Sequence, residues 1–154
     1  MKIVNKKLDY SADWESPDIY MFTGNSTVKK NSALVMGRGA ALQVRDTFPG
    51  IDKICGNRIK CMSDSMYGVL FFRVDPLEPA EQKLIGVFQV KTNYSSDADL
   101  NIIENSTEVL KRYAENFPNK TFHMNFPGIG AGHLNYGDVF KIVHKLPNNI
   151  ILYK

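Results

Sequence analysis

The sequence predicts an α/β fold with a mostly parallel or mixed central β-sheet and helices on both faces. Short apolar runs rich in β-branched and aromatic residues recur along the chain, and segments with helical periodicity lie between them. Most of the runs are almost continuously apolar, which is typical of strands buried on both faces. Alternation of strands and helices indicates βαβ crossovers, and these crossovers place helices on the faces of one sheet.

Six apolar runs predict the strands of this sheet. They cover residues 2–4, 19–23, 67–74, 84–90, 121–126 and 149–153. Between the third and fourth runs, the segment 75–83 carries Pro76 and Pro79. Proline interrupts regular structure, so this segment predicts a loop between two neighbouring strands.

The clearest predicted helix covers residues 99–117. Asp99 can accept a hydrogen bond from a first-turn amide and so begin the helix, and Pro118 helps to end it. Its apolar side chains recur at helical spacing and predict one face packed on the sheet: Leu100, Ile103, Leu110, Tyr113, Ala114 and Phe117.

Three further segments predict helices. One covers residues 39–48 and is stopped by Pro49-Gly50, and another covers residues 51–60. The last covers residues 138–146, where Asp138 is the predicted N-cap ahead of Val139 and Val143. Ligands of such sheets bind at the carboxyl ends of the strands, so the loops that follow the strands are the first places to seek a site.

Composition and charge narrow the classes of function. A chain of 154 residues with 44% hydrophobic content predicts one compact domain over residues 1–154. The net charge of +3 comes from 19 basic and 16 acidic residues without a long basic block, so a small anionic ligand is favoured over nucleic acid.

Targeting signals and cysteine chemistry are not evident in the sequence. No apolar run approaches the roughly 18 residues of a membrane span, and residues 1–7 lack the apolar stretch of a signal peptide, so we expect a cytoplasmic protein with no membrane partner. Cys55 and Cys61 fit neither a zinc spacing nor a disulfide framework. We predict two reduced thiols, no metal and no cofactor.

The stretch N-F-P-G-I-G-A-G-H-L-N-Y-G-D, residues 125–138, has three alternating glycines between a predicted strand and a predicted helix. Such a loop exposes backbone amides to a diphosphate, and a helix N-terminus adds partial positive charge. The stretch lacks the lysine of a Walker A loop, and it lies too late in the chain for a dinucleotide fingerprint. A tight turn without a ligand also explains an isolated glycine loop.

A second cluster favours the ligand-binding interpretation. T-G-N-S, residues 23–26, and M-G-R-G-A-A, residues 36–41, again lie between a predicted strand and a predicted helix. Loops at the carboxyl ends of parallel strands share one edge of the sheet, so the two glycine clusters can face each other across one cleft.

These motifs, in this order, resemble the macrodomain family of ADP-ribose-binding proteins. The resemblance covers residues 9–153, and F-Q-V-K-T-N-Y, residues 88–94, is similar to the branch that removes ADP-ribose from acidic side chains. It implies a three-layer fold with a mixed sheet of about six strands and ADP-ribose in a cleft at the carboxyl ends. It also implies ADP-ribose or a derivative, and an ADP-ribosylated protein, as partners.

The resemblance assigns binding roles to particular residues. Asp9 matches the acid that accepts from the adenine amino group, although a solvated turn aspartate is an open alternative. Asn25 matches the asparagine that orients the distal ribose. Tyr136 would stack beside the distal ribose or cover the adenine cleft, unless it is a core aromatic. The loop residues that would contact the distal ribose and the diphosphate are Gly37, Gly39, Ala40, Gly128, Ile129, Gly130, Ala131 and Gly132.

Three residues are predicted to act in catalysis: Asn25 by orienting the ribose, and Lys91 and His133 by assisting attack or proton transfer. Lys91 matches the lysine that attacks the anomeric carbon of the distal ribose in the acid-specific branch. That branch also has an aspartate just after its glycine loop, whereas this chain has no acid between His133 and Asp138. The other two histidines are expected to be structural, because His123 lies in a predicted strand and His144 in a predicted helix.

Three classes of function therefore stay open. The first is a hydrolase that removes a 1″-phosphate or an attached ADP-ribosyl group. The second is a non-enzymatic reader that sequesters ADP-ribose or a related NAD-derived nucleotide, which the absent acid favours. A nucleic-acid-binding domain ranks last, because aromatic residues are not interleaved with basic clusters.

Overall fold

A computed structural model describes residues 1–12, 18–62, 66–74 and 83–154. The loop predicted over residues 75–83 lies outside the described residues, except for Lys83. The ten elements run in the order β1 Lys2–Val4, β2 Asp18–Gly24, α1 Gly39–Thr47, α2 Ile51–Lys60, β3 Val69–Arg73, β4 Leu84–Gln89, α3 Leu100–Asn116, β5 Thr121–Asn125, α4 Tyr136–Val143 and β6 Ile150–Tyr153.

The six strands form one mixed sheet in the order β1-β6-β5-β2-β4-β3. Strand β3 pairs antiparallel with β4, and the remaining pairs are parallel. In the middle of the sheet Met21 pairs with Met124 on one side and with Gly86 on the other. Strands β2, β4, β5 and β6 consequently end at the same edge.

Helices cover both faces of the sheet, as predicted. Met21 packs with Ile103 and Val139 in a core beneath α3 and α4. The next residue of β2, Phe22, packs with Val44 in a second core beneath α1 and α2. Successive side chains of a strand point to opposite faces, so the near-continuous apolar run of β2 supplies both cores. This arrangement confirms the three-layer α/β architecture.

The start of α4 differs from the prediction. Asn135 is the N-cap, and its Oδ1 accepts from the amide of Gly137 at 2.8 Å. The prediction that Asp138 caps this helix was wrong, because Asn135 is an equally good cap three residues earlier. Asp138 lies in the first turn, where its negative carboxylate interacts favourably with the positive end of the helix dipole.

The buried face of α3 also departs from the predicted one. Asp99 caps the helix as predicted, accepting from the amide of Asn101 at 2.8 Å. Leu100, Tyr113 and Phe117, however, are exposed, so placing Leu100 and Phe117 on the packed face was wrong, whereas the ring of Tyr113 lies 4.9 Å from that of Phe71 in β3. The buried residues of α3 are Ile102, Ile103, Ser106, Thr107, Leu110 and Ala114. Two of them, Ser106 and Thr107, are polar, and an apolar pattern cannot reveal such positions.

Both cysteines are free thiols, Cys55 buried and Cys61 exposed. Burial, with a smaller contribution from Asp52, raises the pKa of Cys55 to about 12, so this thiol stays protonated and packs as an apolar side chain.

In the described parts of the chain no helix is long and apolar enough to cross a membrane. Those parts also contain no group of three His, Cys, Asp or Glu side chains suited to a metal ion.

Candidate functional site

A cleft of about 560 Å³ opens where β2, β4 and β5 end, a volume within the range of small-molecule sites. Three loops line it: the first loop (residues 25–38), the lysine loop (residues 90–99) and the glycine loop (residues 126–135). Each loop leaves the carboxyl end of a parallel strand and leads to a helix. The sheet topology therefore brings the three loops to one place.

Asn25 holds the first loop in shape. The side chain is buried, its Nδ2 donates to the carbonyl of Val35 at 2.9 Å, and its Oδ1 accepts from the amide of Thr27 at 2.8 Å. A primary amide has two donor hydrogens. Among the described residues one acceptor, the Val35 carbonyl, takes a hydrogen from Nδ2, so Asn25 shapes the loop with one hydrogen and can offer the other to a ligand in the cleft.

The first loop ends at the N-terminus of α1, which opens onto the cleft. Arg38 is the N-cap, and no side chain in the described residues caps this helix, so its first-turn amides keep their donor capacity. A Cβ built on Gly37 or on Gly39 would meet nothing within 4 Å. The space beside these residues and Ala40 is therefore cleft.

The glycine loop presents a row of unpaired amides. Its shape is fixed by hydrogen bonds from the amide of Leu134 to Gly128 at 2.9 Å and from that of His133 to Gly130 at 3.1 Å. Within the described part of the chain, the amides of Ile129, Gly130 and Ala131 donate to no protein acceptor. Consecutive unpaired amides of this kind form a concave site for an anion.

The lysine loop brings an amine to the cleft. Nζ of Lys91 donates to the carbonyl of Ser96 at 2.9 Å. Partial burial lowers the pKa of Lys91, while the carboxylate of Asp97 opposes that change and Arg38 adds to it. A lower pKa increases the fraction of neutral, nucleophilic amine.

His133 and Asp97 meet across two of the loops. Nδ1 of His133 lies 2.8 Å from Oδ1 of Asp97, and both side chains are largely exposed. His133 has a φ of 59°, which is uncommon for a residue with a side chain. The cleft therefore holds a histidine–carboxylate pair beside the amine of Lys91.

Solved structures share this architecture. The macrodomain of Thermus aquaticus DarG matches with a TM-score of 0.73 and 17% identity, over 99% of this chain and 95% of that one. The macrodomain of Mycobacterium tuberculosis DarG matches with a TM-score of 0.69 and 21% identity, over 98% and 96%. This chain has the macrodomain fold.

A structure of Thermosipho africanus DarTG in complex with ADP-ribose also matches, with a TM-score of 0.70 and 18% identity. The match covers 87% of this chain but 37% of that one, so this chain spans little more than a third of that relative's length. No protein-family model and no curated protein matches the sequence.

Asp9 does not line the macrodomain cleft but a shallower groove that also includes Gln43. Its Oδ1 accepts from the hydroxyl of Ser11 at 2.6 Å and from the Ser11 amide at 2.9 Å, and these bonds lower the pKa of Asp9. The neighbouring Tyr10 donates to Met21 at 2.7 Å. Asp9 is thus a turn aspartate whose neighbour Tyr10 ties the turn to the central strand β2.

Tyr136 also lies outside the lining of the cleft. Its ring centroid is 4.9 Å from that of Phe126 and 5.8 Å from that of Phe140, and Nζ of Lys154 lies 4.4 Å from its ring. Phe126 and Lys154 line the cleft. Tyr136 therefore contacts two residues that line the cleft, Phe126 and Lys154.

The remaining predicted residues converge on the macrodomain cleft. The first loop, glycine loop and lysine loop bring together Asn25, Gly37, Gly39, Ala40, Lys91, Gly128, Ile129, Gly130, Ala131, Gly132 and His133. Sequence reasoning missed several lining residues: Arg38, Ser95, Ser96, Asp97, Phe126, Tyr153 and Lys154. Most of them follow a strand at the same edge of the sheet, so the rule that ligands bind at carboxyl ends could have found them.

His123 and His144 do not line the cleft. His123 lies in β5, where its Nδ1 is 2.8 Å from the hydroxyl of Tyr153. His144 follows α4 and is exposed, with its ring 6.1 Å from that of Phe140. His123 is thus held within the sheet, whereas the structural role expected for His144 stays a prediction.

Proposed function

We propose that this macrodomain binds ADP-ribose in the cleft and hydrolyses a group attached to the distal ribose. The observation that carries the binding proposal is the pair of donor surfaces lining one cleft. The unpaired amides of Ile129, Gly130 and Ala131 form one surface, and the uncapped N-terminus of α1 forms the other. A diphosphate supplies acceptors for both, and it needs no lysine there.

Two further features support ADP-ribose over a simple phosphate. The cleft is long enough to be lined by Asn25 and Gly37 as well as by Tyr153 and Lys154, which supply polar groups for sugars and an aromatic ring for a base. The Thermosipho africanus relative of the same fold was solved in complex with ADP-ribose. We infer that the distal ribose would lie near Asn25 and the adenine toward Tyr153.

The groups around the expected ribose support hydrolysis. Lys91 has a lowered pKa, which suits an amine that attacks the anomeric carbon, and His133 can accept or donate a proton. We infer that the group removed is either a 1″-phosphate or an acidic side chain of an ADP-ribosylated protein. For the phosphate, positioning and charge stabilisation carry most of the chemistry.

A reader without catalysis is the second candidate. The glycine loop carries no carboxylate between Phe126 and Asn135, although the resembling branch uses one there. Such a protein would bind ADP-ribose through the same amides and release it unchanged. The two candidates share the ligand and differ in turnover.

Calorimetric titration with ADP-ribose tests binding, with AMP and ATP as controls. We expect saturable binding of ADP-ribose and weaker binding of both controls. Incubation with ADP-ribose 1″-phosphate and with a peptide ADP-ribosylated on glutamate then tests turnover, by release of phosphate or of ADP-ribose. Binding without release of either product would support the reader, and no binding at millimolar ADP-ribose would overturn the proposal.

A further inference from the structure

The pair formed by Asp97 and His133 is not explained by ligand binding alone. The carboxylate belongs to the lysine loop and the imidazole to the glycine loop, and both line the cleft. The 2.8 Å separation of Nδ1 and Oδ1 is a hydrogen-bond distance. A carboxylate accepts only, so Nδ1 must carry the proton when the imidazole is neutral.

Stability does not account for the pair. The side chain of His133 is 66% exposed and that of Asp97 is 71% exposed, and exposed ion pairs contribute little to the stability of the fold. The two loops are already joined by the backbone bond from the amide of Ala98 to Gly132 at 3.0 Å. What the side-chain bond fixes is the orientation and tautomer of one ring at the mouth of the cleft.

We propose that Asp97 is a positioning residue for His133, holding its proton on Nδ1 so that the lone pair of Nε2 faces the cleft as a general base. This inference rests on the proposed hydrolase function. The glycine loop has no carboxylate of its own. In this arrangement Asp97 of the lysine loop supplies one, and it acts by orienting His133. The arrangement follows the logic of a base oriented by a third group.

The step balances as a direct substitution by water, the route available when the amine of Lys91 does not itself attack the anomeric carbon. As the water oxygen bonds to the anomeric carbon, the bond from that carbon to the leaving oxygen breaks and its electron pair departs with the leaving carboxylate. One proton of the water passes to Nε2 of His133. The imidazolium formed is stabilised by the Asp97 carboxylate and later returns its proton to solvent. For a 1″-phosphate, the water oxygen bonds to phosphorus and gives a proton to Nε2, the bond from phosphorus to the 1″-oxygen breaks, and that oxygen stays on the ribose and takes a proton from the imidazolium or from solvent.

A rival role for Asp97 is to act on Lys91, whose pKa its charge raises. A double-mutant cycle separates the two roles. If Asp97 acts through His133, then Asp97→Ala has no further effect once His133→Gln is present. If Asp97 acts on Lys91 or contacts the substrate, its effect persists in that background.

The first experiment measures kcat and KM for wild type, Asp97→Ala, His133→Gln and the double variant. We expect Asp97→Ala to lower kcat by about 10- to 100-fold, part of the usual contribution of proton transfer, while KM changes by less than about twofold. Asp138→Ala is the matched control, because it removes an exposed carboxylate that does not line the cleft. An unchanged kcat for Asp97→Ala, or a full effect in the His133→Gln background, would overturn the inference.

A second readout does not depend on turnover. The ¹⁵N chemical shifts of the ring nitrogens, measured at mildly alkaline pH, report which nitrogen of His133 carries the proton. We expect Nδ1–H in wild type and in Asp138→Ala, and a shift toward Nε2–H in Asp97→Ala. Nε2–H in wild type would overturn the positioning role. Absence of turnover in wild type with both substrates would overturn the proposed hydrolase instead, so the two failures are distinguishable.

Discussion

The amide of Ala98 donates to the carbonyl of Gly132 at 3.0 Å, and the two residues touch so closely that Gly132 has no room for a side chain. A Cβ on Gly132 would lie 2.7 Å from the Cβ of Ala98 and 2.5 Å from the carbonyl oxygen of Gly128. Gly130, two residues earlier, would meet nothing within 4 Å. Two glycines of one loop are therefore present for different physical reasons.

Gly132→Ala should destabilise the fold, because the added methyl group must displace backbone. We expect the free energy of unfolding to fall by about 1–3 kcal/mol, the usual cost of overpacking. Gly130→Ala should stay within about 0.5 kcal/mol of wild type, as for other changes in open space. Urea denaturation of both variants checks the pair of values, and equal stabilities would contradict the close packing at Ala98.

Gly130→Val should block the ligand without unfolding the protein. Its side chain would fill the cleft in front of the amides of Ile129 and Ala131, so we expect the affinity for ADP-ribose to fall by at least about tenfold, or 1.4 kcal/mol. Circular dichroism and urea denaturation establish that the fold is retained. Undiminished binding by a folded Gly130→Val protein would place the diphosphate elsewhere.

Much of this fold could be predicted because strands and helices follow from local patterns. All six strands and four helices occur within a few residues of their predicted positions. The errors arose where polar groups replace apolar ones in the pattern. Asn135 caps α4 in place of Asp138, and the buried Ser106 on α3 lies 2.7 Å from the carbonyl of Gln89.

The candidate site was predictable where glycine spacing marks it and not where loops meet in space. Gly37 and Gly130 were found because glycines next to strand ends stand out in one dimension. Asp97 was missed because its partner, His133, is 36 residues away along the chain. The position of Asp9 in the order of motifs matched, but its carboxylate lines a separate groove, so its contact with adenine stays a prediction.

Lys91→Arg separates a nucleophilic lysine from a merely cationic one. Arginine keeps the charge but cannot deprotonate, so a nucleophilic Lys91 predicts a loss of activity on the order of 100-fold or more, the scale seen when one acting group is removed. Wild-type activity should rise with pH across a range below the ordinary lysine pKa, because burial lowers the pKa of Lys91. Steady-state rates over a pH series check both statements.

The control for Lys91→Arg is Lys141→Arg, which changes an exposed lysine on α4 and should leave the rate unaltered. Calorimetry with ADP-ribose should show that Lys91→Arg still binds. Full activity of Lys91→Arg would exclude attack by the amine and leave proton transfer to His133.

Gln89 connects the sheet to the first loop from inside the core. Its Oε1 accepts from the amides of Tyr67 at 2.8 Å and Gly68 at 3.1 Å, and its Nε2 donates to the hydroxyl of Ser26 at 2.7 Å. The side chain is fully buried. Replacement by an apolar residue would remove the acceptor of the amides of Tyr67 and Gly68, and a buried amide without a partner costs free energy.

Gln89→Leu should lower the free energy of unfolding by about 2–4 kcal/mol, since each unpaired buried group costs about 1–3 kcal/mol. The variant should also bind ADP-ribose more weakly, because Ser26 belongs to the first loop. Gln43→Leu makes the same chemical change at a half-buried position of α1 and should cost less than about 1 kcal/mol. Similar losses in the two variants, measured by urea denaturation, would show that the buried network is not what stabilises the loop.

His123 should make stability depend on pH. Burial lowers its pKa, with Asp18 opposing. The groups that face the ring are Tyr153, 2.8 Å from Nδ1, Asp18, 3.6 Å from Nε2, and the ring of Tyr20 at 4.7 Å. Below the unfolded pKa of about 6.5, the unfolded chain binds a proton that the native state resists, so the free energy of unfolding must fall as the pH falls through the lowered native pKa.

His123→Gln removes this titration while keeping a polar side chain in β5. We expect the loss of unfolding free energy between pH 7 and pH 5 to be smaller in His123→Gln than in wild type, because the variant has no imidazole at this position to take up a proton on unfolding. His144→Gln replaces an exposed histidine and should reproduce the wild-type loss. Urea denaturation at the two pH values measures all three proteins. If His123→Gln lost as much stability as wild type, the native protein would accommodate the imidazolium, and the carboxylate of Asp18 would have to turn toward Nε2 to offset its burial.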